Sequence, residues 1–213
     1  MSVNVATAGA PASRLVTRIL RCSLHLDVRI RDSWNRSGAI GTASTLLSPS
    51  CEQPAAVVLD ADTLEEGPLQ EQRSTVEHLL TMAWSGVPFR LVLAVPQVEA
   101  VLFHDRAGLE RAMGRRIADE DAFEARFRPK AVFRRLVGEG AEHDAPFVEE
   151  DADGNVSLRD EIEERSLAVI DALDEAALAR MATHPIIREI AAFVAEVEAW
   201  DGYEQPVPVR RAG

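Results

Sequence analysis

The chain has 213 residues, of which 46% are hydrophobic, and a formal net charge of −12. That length and apolar content support a sizeable core, as one large domain or a domain with an appendage. The acidic balance excludes a chain-wide basic footprint for nucleic acid, leaving a local arginine patch or bound divalent cations to meet phosphates.

In chain order, Val3 and Val5 followed by small residues predict a short strand over Ser2 to Ala8. Gly9-Ala10-Pro11 turns the chain, with Pro11 suited to a first helical position. Leu15, Val16, Ile19 and Leu20 recur at helical spacing and predict a helix from about 12 to 22. Leu24 to Arg31 alternates strictly, as a half-exposed strand near a sheet edge does, with His25 on its polar face. Asn35 to Gly41 then precedes a helix running to about Leu47. Small residues before a helix can cradle an anion on free amides, which makes Ser37, Gly38 and Gly41 the candidate cofactor-binding positions. The Gly-Lys-Ser/Thr ending of a phosphate-binding P-loop is missing, and a plain connection is the competing reading.

Ala55-Ala56-Val57-Val58-Leu59-Asp60 is apolar on both faces, the pattern of a buried strand in a parallel sheet. It ends in Asp60-Ala61-Asp62. Side chains two apart on a strand point the same way, so both carboxylates are expected to project together. The carboxyl end of such a strand is where open α/β sheets hold ligands. Hard oxygen donors there suit Mg²⁺ or Mn²⁺. The competing reading is that the pair opens a solvated loop and caps the next helix. Glu65 to Pro68 reads as a loop, Leu69 to Trp84 as a helix and Phe89 to Val95 as a fourth strand closed by Pro96. The order βαβαβαβ predicts a mostly parallel, three-layer α/β domain. Glu99 follows in an otherwise apolar turn, either as a third acid of the same sheet edge or as a first-turn helix carboxylate.

Residues 105–136 read as helical and carry Arg115, Arg116, Arg126, Arg128, Lys130, Arg134 and Arg135, with Phe123, Phe127 and Phe133 interleaved. Lys130 is the only lysine of the chain. Such a run can grip a phosphate backbone and stack bases; alternatively the phenylalanines are the buried side of a helix. An acidic loop follows over 139–161. Within it Glu149 to Asp160 approaches the oxygen spacing of an EF-hand calcium loop, with Glu in place of the usual first Asp. Asp153-Gly154 equally marks a hairpin turn. Helices are predicted over Ile162 to Leu173, Asp174 to Met181 and Pro185 to Trp200, with His184 capping or packing at the start of the last. Residues 202–213 read as a mobile tail. The expected organisation is an α/β core over 1–105 with a helical extension over 106–201 packed on it.

Cys22 and Cys51 lie without motif spacing and read as reduced thiols of a cytoplasmic protein. No apolar run approaches the roughly 20 residues of a membrane span, and no signal peptide or membrane association is expected.

Val58-Leu59-Asp60-Ala61-Asp62-Thr63 and Val95-Pro96-Gln97-Val98-Glu99-Ala100, set in this α/β order, resemble the TOPRIM fold. They are similar in particular to small stand-alone OLD-like TOPRIM proteins of bacteria, several of which serve in phage defence. The resemblance covers about residues 3 to 105 and extends to His184-Pro185-Ile186 through Phe193. It implies a nuclease that hydrolyses DNA or RNA phosphodiesters, with Asp60 and Asp62 as Mg²⁺ or Mn²⁺ ligands, Glu99 as an accessory carboxylate and an ATPase as partner. The chain departs from the family at one place. Where TOPRIM enzymes carry a glutamate before a glycine at the end of the first strand, this one reads Thr7-Ala8-Gly9. Two-metal chemistry needs enough carboxylate to hold both cations. Either Glu99, Glu65 or Glu66 compensates, or the domain is a degenerate module that binds a protein or a nucleotide.

Overall fold

In the computed structural model, which describes residues 2–138 and 158–200, four apolar runs form four parallel strands. They are β1 (Val3–Ala8), β2 (Val28–Ser33), β3 (Ala55–Asp60) and β4 (Phe89–Ala94), in the order β2-β1-β3-β4. β1 and β3 lie in the middle and are buried along nearly their whole length, which is why their sequences are apolar on both faces. β2 is an edge strand, as its charged members require.

Helix α1 (Ala10–Arg18) lies between β1 and β2. Helix α2 (Arg36–Leu47) carries the chain back across the sheet to β3, and α3 (Glu66–Ala83) leads to β4. α2 and α3 bury Ala39, Ala43, Leu47, Val76 and Leu80 against Ala6, Val57, Leu59, Leu91 and Leu93. Alternate strand residues, Val3, Val5, Ala56, Val58 and Val92, face the other way into a larger cluster. That cluster contains α1, α4 (Ala100–Phe103), α5 (Arg106–Met113), α7 (Pro129–Gly138), α8 (Leu158–Ala172), α9 (Glu175–Met181) and α10 (Pro185–Glu198). Helix α6 (Asp119–Glu124) precedes α7 and buries no side chain of its own. The result is a three-layer α/β fold with a parallel sheet and a helical C-terminal region, as the strand and helix order predicts.

Several element boundaries depart from the sequence reading, α8 among them, which begins at Leu158 rather than Ile162. The second strand begins at Val28 rather than Leu24, because α1 runs on into a π-helical turn over Ile19–Ser23. The Arg21 guanidinium then holds the Val28 carbonyl, Nη2 at 2.6 Å, and His25 adopts φ 53°. α3 starts at Glu66, so Gly67 and Pro68 lie in its first turn instead of in a loop. α2 begins at Arg36, so Ser37, Gly38 and Gly41 are helical. His184 caps α10, its Nδ1 accepting the Ile186 N–H at 3.3 Å. Among the described residues, no helix is long and apolar enough to cross a membrane. Residues 149–157 of the calcium-loop reading and the tail at 202–213 lie outside the described residues.

Candidate functional site

Strand order β2-β1-β3-β4 reverses direction between β1 and β3, with α1 on one face and α2 on the other. In open parallel sheets, ligand crevices form at the carboxyl ends of strands at such a switch point. The residues there are Thr7 to Gly9 from β1 and Asp60 from β3, with the turn after β4 alongside.

Asp60 is the last residue of β3, its side chain 16% exposed. Both of its oxygens are engaged. Oδ1 accepts the Val98 N–H at 2.8 Å, and Oδ2 accepts Lys130 Nζ at 2.9 Å. The Asp60 carbonyl accepts Arg36 Nη1 at 3.0 Å, which ties the start of α2 to the end of β3. Lys130 arrives from the second residue of α7, some 70 positions later in the chain. Its backbone N–H donates to Gln97 Oε1 at 3.1 Å, and Gln97 Nε2 donates to Asp62 Oδ1 at 2.7 Å. Gln97 therefore clamps Asp62 and the first turn of α7 to the turn that follows the cis Val95–Pro96 bond.

Asp62 does not extend the strand. Its φ of 54° places it in the left-handed region, and its N–H donates to the Pro96 carbonyl at 2.8 Å. The strand alternation from which Asp60 and Asp62 are expected to project together therefore ends at Asp60, and both carboxylates meet the turn after β4, Asp60 at the Val98 N–H and Asp62 at the Gln97 side chain.

Glu99 is buried, its side chain 6% exposed, with Oε1 4.0 Å from Lys130 Nζ. Oε2 is buried without a hydrogen-bond partner among the described residues. Burial above all, and then the negative charge of Asp60, push the Glu99 carboxyl up to about 7, against the opposing pull of Lys130 and Arg134. For Lys130, burial acts to lower the value, but the charges of Glu99 and Asp60 outweigh it and hold the ammonium above its ordinary range. The centre is thus two carboxylates around one fixed ammonium.

The β1 end offers hydroxyls instead of an acid. Thr7 and Ser13 share a short hydrogen bond, and Ser13 Oγ donates to Asp32 Oδ1 at 2.6 Å. Asp32 stands at the end of β2, in register with Thr7. Glu65 and Glu66 are exposed at the start of α3, where Glu66 accepts from Gln70 at 2.6 Å. The donor set does not fit a two-cation centre. Asp60 is already satisfied by an amide and an ammonium, Asp62 is held by Gln97, and Ala8 supplies no ligand. Among the described residues, no group of three or more His, Cys, Asp or Glu is placed to hold a metal ion.

The candidate anion cradle is a capped helix start. The Gly38 N–H donates to Asn35 Oδ1 at 2.8 Å, Ser37 is exposed in the first turn and Gly41 lies in the second. The basic run divides. Arg135 pairs with Asp121 and Glu124, Arg115 donates to the Leu136 carbonyl, and Lys130 belongs to the carboxylate centre. Arg116, Arg126, Arg128 and Arg134 are exposed. Phe133 is buried, but Phe123 and Phe127 are 61% and 51% exposed. Their rings meet edge to face with centroids 5.6 Å apart, and the Arg126 guanidinium lies 5.8 Å from the Phe123 centroid.

Comparison with family models, with curated proteins and with solved structures finds no match to this chain. Lys130 and Gln97 are the site residues that sequence reading misses. Lys130 reads there as one member of a basic run, and its isolation as the sole lysine was the available signal.

Proposed function

We propose that the chain is a TOPRIM-like module that binds single-stranded nucleic acid beside the carboxyl edge of its sheet without cutting it. The observation that carries this reading is the exposed Phe123–Phe127 pair, flanked by Arg126 and Arg128. Two residues beyond Arg128 the same segment delivers Lys130 to Asp60. Exposed rings give bases a stacking surface, and adjacent guanidiniums meet phosphates, a combination that tolerates any sequence. The overall charge of −12 confines such contact to this patch.

Fluorescence anisotropy with single-stranded DNA and RNA oligonucleotides tests the reading. Phe123→Ala and Phe127→Ala should each weaken binding by roughly tenfold or more, and affinity should fall as salt rises. Absence of binding at low salt, or binding unaffected by both substitutions, sinks it. A divalent-cation nuclease is the second reading, favoured by the convergence of Asp60 and Glu99 on one point of the sheet edge. Cleavage that requires Mn²⁺ and disappears in Asp60→Ala would put that reading first.

A further inference from the structure

Asp60, one of the two expected metal ligands, and Glu99, the expected accessory carboxylate, both lie against Lys130. We infer that Lys130 is a built-in cation that makes this centre metal-independent, its ammonium standing where a divalent ion would bridge the two carboxylates. Its Nζ lies 2.9 Å from Asp60 Oδ2 and 4.0 Å from Glu99 Oε1. Pro129, Val132 and Phe133 of the same helix are buried and anchor it, and the Lys130 N–H is held by Gln97 Oε1. A cation fixed on the same chain competes for the carboxylates at a high effective concentration, against which a free ion must be bound from solution.

Mg²⁺ demands a near-octahedral shell of oxygens and gives up water reluctantly. Here Asp60 Oδ1 is spent on the Val98 amide and Asp62 Oδ1 on Gln97, while Ala8 ends β1 without an oxygen-bearing side chain. Glu99 Oε2 is buried and has no hydrogen-bond partner among the described residues. The Lys130 ammonium donates to Asp60 Oδ2 at 2.9 Å and lies 4.0 Å from Glu99 Oε1.

The inference rests on the reading that this edge does not cut, yet its readouts involve no nucleic acid, so the two can fail separately. The chain's only lysine supplies a single-residue probe. In full-length protein carrying isotope-labelled lysine, the Lys130 side-chain signal should stay sharp as paramagnetic Mn²⁺ is added to equimolar concentration. Lys130→Met, which keeps the stem and removes the charge, should bind Mn²⁺ roughly tenfold tighter than wild type by calorimetry. Adding Glu99→Gln should abolish that gain, while Lys130→Arg should behave as wild type. Broadening of the wild-type signal at equimolar Mn²⁺ overturns the inference. So does a folded Lys130→Met protein with unchanged Mn²⁺ affinity. Should Lys130→Met fail to fold, the wild-type titration decides alone.

Discussion

Glu99 is a glutamate placed where its charge is unwelcome, and pH makes the cost measurable. Asp60, Lys130 and Arg134 are the charges acting on it, and burial dominates them all. Its carboxyl titrates at about 7 in the folded chain against an ordinary 4.5. Between those values the folded state holds a proton that the unfolded chain releases. The associated stability is present in full below the unfolded value and is lost as pH rises through the folded one. The penalty above neutrality is on the order of 3 kcal/mol. Glu99→Gln, which imitates the protonated form, should therefore gain on wild type as pH rises from about 5 to about 8. Denaturant melts at both ends of that range check it. A stability difference that does not change with pH would show that Glu99 does not titrate there.

At the scale of elements, close approaches fix where the helical layer sits. Gly108 in α5 has no room for a side chain. A Cβ there would overlap Asp105 Oδ2 and come within 2.6 Å of Ala177 Cβ on α9. Asp105 is itself buried and accepts Arg180 Nε at 2.8 Å, so the added methyl would disturb an ion pair that joins the two helices. Gly108→Ala should cost roughly 1–3 kcal/mol by overpacking, although alanine is the better helix former. Thermal melting reads the outcome; a stabilised variant would mean that α5 and α9 separate freely. The Gln97 clamp acts at the same scale. Gln97 holds Asp62 on the β3 side and the Lys130 N–H on α7, so the carboxylate centre depends on two elements keeping their spacing.

For the whole molecule, the decisive feature is that one apolar cluster runs from the sheet through α1 into α7–α10. α10 lays Ile187, Phe193 and Val194 into it, all at most 1% exposed. Salt links tie the same layers at the surface, with Arg14 on Asp171 at 2.7 Å and Arg90 on Glu196 at 2.5 Å. Exposed pairs of this kind add little by themselves, so cohesion rests on burial. Phe193→Ala should cost about 3–5 kcal/mol and lower one cooperative transition in calorimetry. Two separated transitions, with only the second shifted, would show that the helical region melts apart from the sheet.

The sequence by itself determined the strands and most helices, because their signals are local. The apolar, β-branched run Ala55–Leu59 reads as a buried strand, and the spacing of Ile186, Ile190, Phe193 and Val197 marks one buried helical face. It also marked Asp60 and Glu99, since an acid ending a buried strand or set among apolar neighbours stands out in one dimension. The start of β2 was not legible, because the π-helical turn before it depends on Arg21 reaching the Val28 carbonyl. Nor was the exposure of Phe123 and Phe127, whose spacing fits a buried face equally well. What only the tertiary structure decided is the partner of Asp60. Lys130 lies 70 residues away, and no local pattern records that α7 folds back over the end of β3. The fold sets the Lys130 ammonium 2.9 Å from Asp60 and 4.0 Å from Glu99, an arrangement that no one-dimensional pattern contains.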